Sequence, residues 1–248
     1  MNIVEKVDIG NTREINQDYV GYKQISDNEA FLVVCDGMGG HNAGEVASYM
    51  AGQYILECCS LHDEFSNEEE IKAWLHYLIN NANRIVHEKS LTDEHLKGMG
   101  TTVVLAYIKD HMLYVAHVGD SRAYLVDDTI ERLTVDDTLV NALVKSGSIS
   151  EEEAQFHPRK NILLQAIGVS TPLKISFYEK ELNHQAVLLC SDGLYNSLSE
   201  ERIKEIFHAY SSLEERAVQL IEQAKIYGGY DNIGLVIADK EELSDESH

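Results

Sequence analysis

Phe31-Leu32-Val33-Val34-Cys35-Asp36-Gly37 is an unbroken apolar run that ends on a carboxylate and a glycine. The pattern recurs at Ala186-Val187-Leu188-Leu189-Cys190-Ser191-Asp192-Gly193, and a third aspartate, Asp231, stands just ahead of Ile233-Gly234-Leu235-Val236-Ile237. Short runs of this composition, bounded by turn residues, read as buried strands. A carboxylate at the tip of such a strand is costly to desolvate unless something positive meets it. Three tips from distant parts of the chain can converge on one spot, and a divalent metal is the partner best suited to them, because hard cations prefer carboxylate oxygens. Taken singly, Asp-Gly and Asp-Asn are also ordinary turn dipeptides, so the weight lies in their co-occurrence.

Around these tips, strands are predicted at Thr101–Ile108, Met112–Val118, Arg122–Val126 and Leu173–Tyr178. Lys109-Asp110-His111 is short enough to join two of them as an antiparallel hairpin. Ile71, Trp74, Leu75, Leu78, Ala82, Ile85 and Val86 share one face of a long helix that begins near Asn67, and an Ala-rich helix spans Ala43 to about Cys59. Ser199 leads Glu200-Glu201 into another helix, and Ser212-x-x-Glu215 spells a capping box ahead of a helix ending at Gly228. Helices in two pairs between runs of hairpin-linked strands point to an α+β layered sandwich rather than to strict βαβ alternation.

The 248 residues hold two prolines, no repeat and no Gly/Ser-rich linker, so a single domain over residues 1–240 is expected, followed by an acidic tail at 241–248. A formal net charge of −22 argues against nucleic acid and anionic membranes, both of which demand neutralisation by Lys and Arg. Much of the acidity, as in Glu68-Glu69-Glu70 and Glu151-Glu152-Glu153, reads as solvated surface. The four cysteines form no Cys-x-x-Cys; Cys35 and Cys190 sit inside apolar strands as small hydrophobes. No apolar run approaches the ~18 residues of a membrane span and the N-terminus lacks a signal core, so a reduced cytoplasmic protein without membrane insertion is the expectation.

Asp36-Gly37-Met38-Gly39-Gly40-His41 lies between a strand and a helix, as a nucleotide-binding loop would. It lacks the Gly-Lys-Ser/Thr of a phosphate-binding loop, and Asn42 interrupts the dinucleotide pattern. Its glycines still allow close backbone approach of a ligand and leave the Gly37 carbonyl available to a metal. Upstream, Arg13 and Asp18 stand five residues apart: a guanidinium fork suits a phosphate, and an aspartate suits a metal or its waters. Val118-Gly119-Asp120-Ser121-Arg122 ends one strand and begins the next, either as a hairpin corner or as a further site.

In the order of these motifs the chain resembles the bacterial metal-dependent Ser/Thr protein phosphatases of the PPM family, type 2C. The matching segments are Asp8 to Asp18, Val34 to Gly44, Gly100-Thr101-Thr102, Val118 to Arg122, Leu133 to Leu139, Asn161 to Gly168, Leu189 to Leu194 and Asp231-Asn232, and they cover essentially the whole chain. The resemblance implies a four-layer αββα sandwich of two mostly antiparallel sheets flanked by helix pairs. It also implies two Mn²⁺ or Mg²⁺ ions, with Asp36 bridging both, the Gly37 carbonyl on one, Asp192 and Asp231 on the other and Asp18 reaching them through water. A third, weaker ion would lie between Asp120 and Asp192, and Arg13 would grip the substrate phosphate. The implied activity is hydrolysis of phosphoserine and phosphothreonine on proteins by attack of a metal-bridging hydroxide, in a monomer that opposes a bacterial Ser/Thr kinase.

This chain departs from the family's pattern at three places. Met38 stands, as in bacterial relatives, where eukaryotic members carry a histidine proposed as general acid, and nearby His41 is not that match, which leaves the proton donor unassigned. Asp136-Asp137 stands where bacterial members usually read Asp-His, and Gln165 where they usually carry arginine. The last two adjoin residues 140–164, which resemble the family's flap; there Ser150-x-x-Glu153 spells a capping box and His157-Pro158 a turn. Two rival readings use the same carboxylates: a phosphoprotein-binding module without turnover, and a metal-dependent nuclease or phosphodiesterase, against which the net charge argues.

Overall fold

Residues 1–39, 43–62, 64–169 and 172–239 are described by the computed structural model; His41 and the 241–248 tail lie outside them. The longest strand, β3 (Glu29–Met38), shows how the layers arise. Phe31, Val33 and Cys35 point to a core shared with helices, while Ala30, Leu32 and Val34 point to a core shared with a second sheet, as the two-residue period of a strand requires. Both faces are apolar because both are covered.

One sheet has the order β2 (Asp18–Ser26), β3, β5 (Val103–Lys109), β6 (Met112–Val118), β9 (Ser176–Glu181), with the short β4 (Gly100–Thr101) paired to the end of β3. The other has the order β1 (Asn2–Asp8), β11 (Ile233–Asp239), β10 (Ala186–Cys190), β7 (Arg122–Val126), β8 (Ile130–Arg132). Every neighbouring pair is antiparallel. Leu32, Val34, Val104 and Val115 of the first sheet meet Ala123, Leu125, Leu189 and Val236 of the second in the central layer. Helices α1 (Ala43–Cys58) and α2 (Glu68–Ser90) cover the outer face of the first sheet, and α6 (Glu200–Ala209) and α7 (Leu213–Ile226) that of the second. The short α3 (Leu139–Lys145), α4 (Glu151–Gln155) and α5 (Asp192–Tyr195) lie in the connections. This is the αββα sandwich expected, with three apolar layers between its four polypeptide layers.

Local sequence signals account for several element ends. The Asn67 side chain accepts from the Glu70 N–H at 3.1 Å and starts α2. Ser150 and Glu153 form the reciprocal capping box of α4. At α7, Ser212 accepts from the Glu215 N–H, but the Glu215 carboxylate takes the Ser212 hydroxyl. Asp110 adopts φ 50° in the tight β5–β6 hairpin, a conformation aspartate tolerates better than most residues. Cys35 and Cys190 are buried in the core as free thiols.

Three expectations need correction. The strand read at Leu173–Tyr178 is displaced to Ser176–Glu181, where it pairs with β6. Strands β1, β2 and β8 are additional; β2 carries Gly21, Lys23 and Gln24 and has an exposed end, so its apolar signal is diluted. The segment Val118 to Arg122 is no hairpin corner, because β6 and β7 belong to different sheets and the chain crosses the central layer there.

Leu189 is fully buried between the sheets, so Leu189→Ala should lower unfolding stability by about 2–5 kcal/mol in chemical denaturation. Leu61, largely exposed, serves as control, and its change to alanine should stay within about 0.5 kcal/mol. Equal effects of the two would contradict the layer assignment.

Candidate active site

The carboxylates gather at one end of the sandwich because strands from both sheets finish or start there. Asp18 opens β2 and faces Asp36 of β3 directly in the ladder. Asp192 opens α5 immediately after β10, Asp231 precedes β11 by two residues, and Asp120 lies in the crossing from β6 to β7. The charges of Asp18, Asp120, Asp192 and Asp231 all act on Asp36, and Arg13 feels Asp231, Asp192 and Asp36. The structure thus brings together all six charged residues singled out from the sequence, with Gly37 beside them.

Asp36 is held through its backbone. Its N–H donates to Thr102 Oγ1 at 2.9 Å, and its carbonyl accepts from the Thr102 N–H and from Thr101 Oγ1, each at 2.9 Å. Asp18 Oδ2 accepts from Ser191 Oγ at 2.6 Å, and that hydroxyl accepts from the Gly234 N–H at 2.8 Å. Ser191 sits at the N-cap of α5 but makes no side-chain cap bond there, since its hydroxyl serves Asp18 across the two sheets. Asn232, buried, ties down the loop that carries Arg13: Oδ1 accepts from Gln17 N–H, and Nδ2 donates to the Ile9 and Ile15 carbonyls. Arg13 itself donates to Asp231 Oδ2 at 2.7 Å and remains half exposed.

Two glycines are dictated by close approach. A Cβ on Gly37 would fall 2.1 Å from the Gly44 carbonyl oxygen, and one on Gly193 would fall 2.0 Å from that of Asn232. The glycines after Asp36 and Asp192 therefore let backbone pack on backbone; Gly37 lies within β3 and Gly193 within α5. The roles of Thr102, Ser191 and Asn232 are not indicated by the sequence. Their signal was position alone, each adjoining a motif aspartate or its strand.

Burial, then the neighbouring carboxylates, raise the pKa of four of these aspartates: Asp18 to about 8, Asp120 to about 7, Asp192 to about 6, and Asp36 well above the usual range. Desolvated oxygens that repel one another are what a hard cation would relieve, so the donor set fits Mg²⁺ or Mn²⁺. Among the described residues no three carboxylate, imidazole or thiolate side chains form a ready-made cage. An ion here would take few protein oxygens and keep several waters, as Mg²⁺ commonly does.

The folded protein binds these protons more tightly than the unfolded chain. Without metal, stability is therefore present at low pH and is lost as pH rises towards the folded pKa values. In chelator, the thermal midpoint should fall between about pH 5 and pH 8, and excess Mn²⁺ should reverse the loss at the alkaline end. A midpoint that rises over this range in chelator would contradict the clustering. Asn232→Ala strands one N–H and two carbonyls and should cost about 2–3 kcal/mol, read by chemical denaturation.

Comparison with known proteins shows the family. The sequence model described as protein phosphatase 2C matches residues 11–224. The serine/threonine phosphatase stp of Listeria monocytogenes is 39% identical over 238 residues, which are 95% of this chain and 94% of that protein. The solved serine/threonine phosphatase of S. agalactiae superimposes with a TM-score of 0.90 at 36% identity, covering 97% of this chain and 99% of the other. The catalytic domain of the phosphatase PstP, solved in complex with two manganese ions, gives a TM-score of 0.83 at 32% identity, covering 96% of this chain and 97% of the other. The chain belongs to the protein phosphatase 2C family and is a bacterial-type serine/threonine phosphatase.

Proposed function

We propose that this phosphatase works through a pair of Mn²⁺ or Mg²⁺ ions held at the carboxylate cluster, and that it acts as a monomer in the cytoplasm on phosphoproteins made by a cognate Ser/Thr kinase. The observation that carries the metal reading is the convergence of Asp18, Asp36 and Asp192, desolvated and mutually repelling, with the charge of Asp231 acting on all three, beside Arg13. Asp36 would hold both ions, the Gly37 carbonyl would serve one, Asp192 and Asp231 the other, and Asp18 would act through water. Asp120 with Asp192 would hold a third ion. When bound, the ions would supply an activated water as nucleophile and positive charge to offset that developing in the transition state.

The chain's own side chains then have positioning work, which is most of what phosphoryl transfer asks of a protein. Arg13 reaches the cluster from a loop fixed by Asn232, with a planar fork suited to two phosphate oxygens. In the structure that fork rests on Asp231. Ser191 holds Asp18 from the other sheet, and Thr102 holds the backbone of Asp36 within its own. The manganese-bound PstP relative supports the same metal for this chain.

Hydrolysis of a phosphothreonine peptide should require added Mn²⁺ or Mg²⁺. It should fall by roughly a hundredfold or more in Asp36→Asn and Asp192→Asn, beyond what loss of an outer-shell partner costs. Arg13→Ala should act chiefly by raising KM. Full activity in excess chelator would falsify the metal reading.

A further inference from the structure

Two residues beyond Asp120, the Arg122 guanidinium carbon lies 3.5 Å from the centre of the Tyr195 ring. The same guanidinium pairs with Asp136 through two bonds, Nε to Oδ1 at 3.0 Å and Nη2 to Oδ2 at 2.7 Å, and donates from Nη1 to the Tyr124 hydroxyl at 3.1 Å. The Arg122 and Asp136 side chains are only 16% and 9% exposed. A desolvated fork with two parallel bonds and a ring beneath it has one orientation, which a lysine would not reproduce. Arg122 is therefore a fixed plate on which Tyr195 lies.

The Tyr195 hydroxyl donates to the Asp120 carbonyl at 3.0 Å. Tyr195 closes α5, the single turn that Asp192 opens. One side chain thus joins the backbone of Asp120 to the turn carrying Asp192. Other bonds restrain the 119–121 loop in different directions: Gly119 N–H to Asp137 Oδ2 at 3.1 Å, and Ser121 Oγ to Thr102 Oγ1 at 2.6 Å. Those tie it to the 136–137 segment and to the neighbour of Asp36, whereas Tyr195 ties it to α5.

We infer that Tyr195 is a positioning residue whose ring, seated on Arg122, aims its hydroxyl at the Asp120 carbonyl and so sets the spacing of the Asp120 and Asp192 carboxylates for a divalent cation. The inference rests on reading those two aspartates as ligands of the third ion. A pair pre-set by its supporting contacts loses less freedom when it binds, so removing the tie weakens binding without removing a ligand. Tyr195→Phe deletes only the hydroxyl and keeps the ring under Arg122.

The test is Mn²⁺ titration calorimetry on the full chain for wild type, Tyr195→Phe, Asp120→Ala and the double variant. Asp120→Ala should abolish the weakest class of Mn²⁺ binding. Tyr195→Phe should weaken that class by roughly three- to tenfold, the worth of about one net hydrogen bond, and leave the tighter classes within about twofold. On the Asp120→Ala background Tyr195→Phe should change nothing further. If Asp120→Ala removes the class and Tyr195→Phe binds like wild type, the positioning role is overturned while the third-ion reading stands. If Asp120→Ala leaves Mn²⁺ binding unchanged, that reading fails and the inference fails with it. Equal weakening of every class by Tyr195→Phe would mark general loosening and would also overturn the role.

Discussion

Repulsion among buried carboxylates governs this end of the molecule. Asp18 and Asp36 face each other across a ladder, and Asp120, Asp192 and Asp231 add like charge from other elements. Nothing in a hydrophobic sandwich favours such a group of ions, since Asp18, Asp36, Asp120 and Asp192 lose hydration and meet like charge, which the Arg13–Asp231 pair offsets only in part. The raised pKa values express that cost in protons. Either protons or cations must accompany these side chains, and the rest of the architecture serves to hold them near one another.

The holding is done by uncharged groups. Thr101 and Thr102 bind the backbone of Asp36 from β4 and its continuation, and Ser191 bonds to Asp18 from the other sheet. A further bond, Thr102 Oγ1 with Ser121 Oγ, joins the Asp36 support to the Asp120 loop. Hydroxyls are suited to this because one oxygen can both donate and accept within a few ångströms. They fix geometry without cancelling the charge that attracts a cation. A lysine or arginine in the same places would neutralise the carboxylates instead, as Arg13 does in part at Asp231.

The strongly apolar strands and the capped helices were legible in the sequence because each is a local pattern. Met112–Val118, Arg122–Val126 and Ala186–Cys190 have the bounds that their apolar runs indicate, and Asn67 marks the start of α2. Strand β1, by contrast, reads Asn-Ile-Val-Glu-Lys-Val-Asp and lies at a sheet edge, where polar and apolar residues alternate over a short span. The six charged site residues were nameable because each sits in a motif, yet nothing in their spelling separated a site from a turn. The deciding fact is backbone packing: Gly37 against Gly44 and Gly193 against Asn232 are contacts between distant segments, invisible to any window of sequence. Thr102, Ser191 and Asn232 were missed for the same reason, since their partners lie 66, 173 and 215 residues away.

The unusual Asp136-Asp137 pair has a structural explanation that also bears on the 140–164 segment. Asp136 takes both bonds of the Arg122 fork, while Asp137 exchanges bonds with Gly119 through its backbone N–H and its carboxylate. Gln165 is occupied by Lys174, accepting from its N–H at 2.7 Å and donating to its carbonyl at 3.3 Å. Both ends of the segment hang on the same dipeptide: Asn141 Nδ2 donates to the Asp136 carbonyl, and the Leu164 N–H to that of Asp137. Leu139 N–H to Ile162 carbonyl then closes the base. Beyond that base, α4 is held by its own capping box, and Phe156 is largely exposed. Side chains at the tip can therefore vary with little effect on the carboxylates, whereas a change at Asp136 or Asp137 acts within two residues of Asp120.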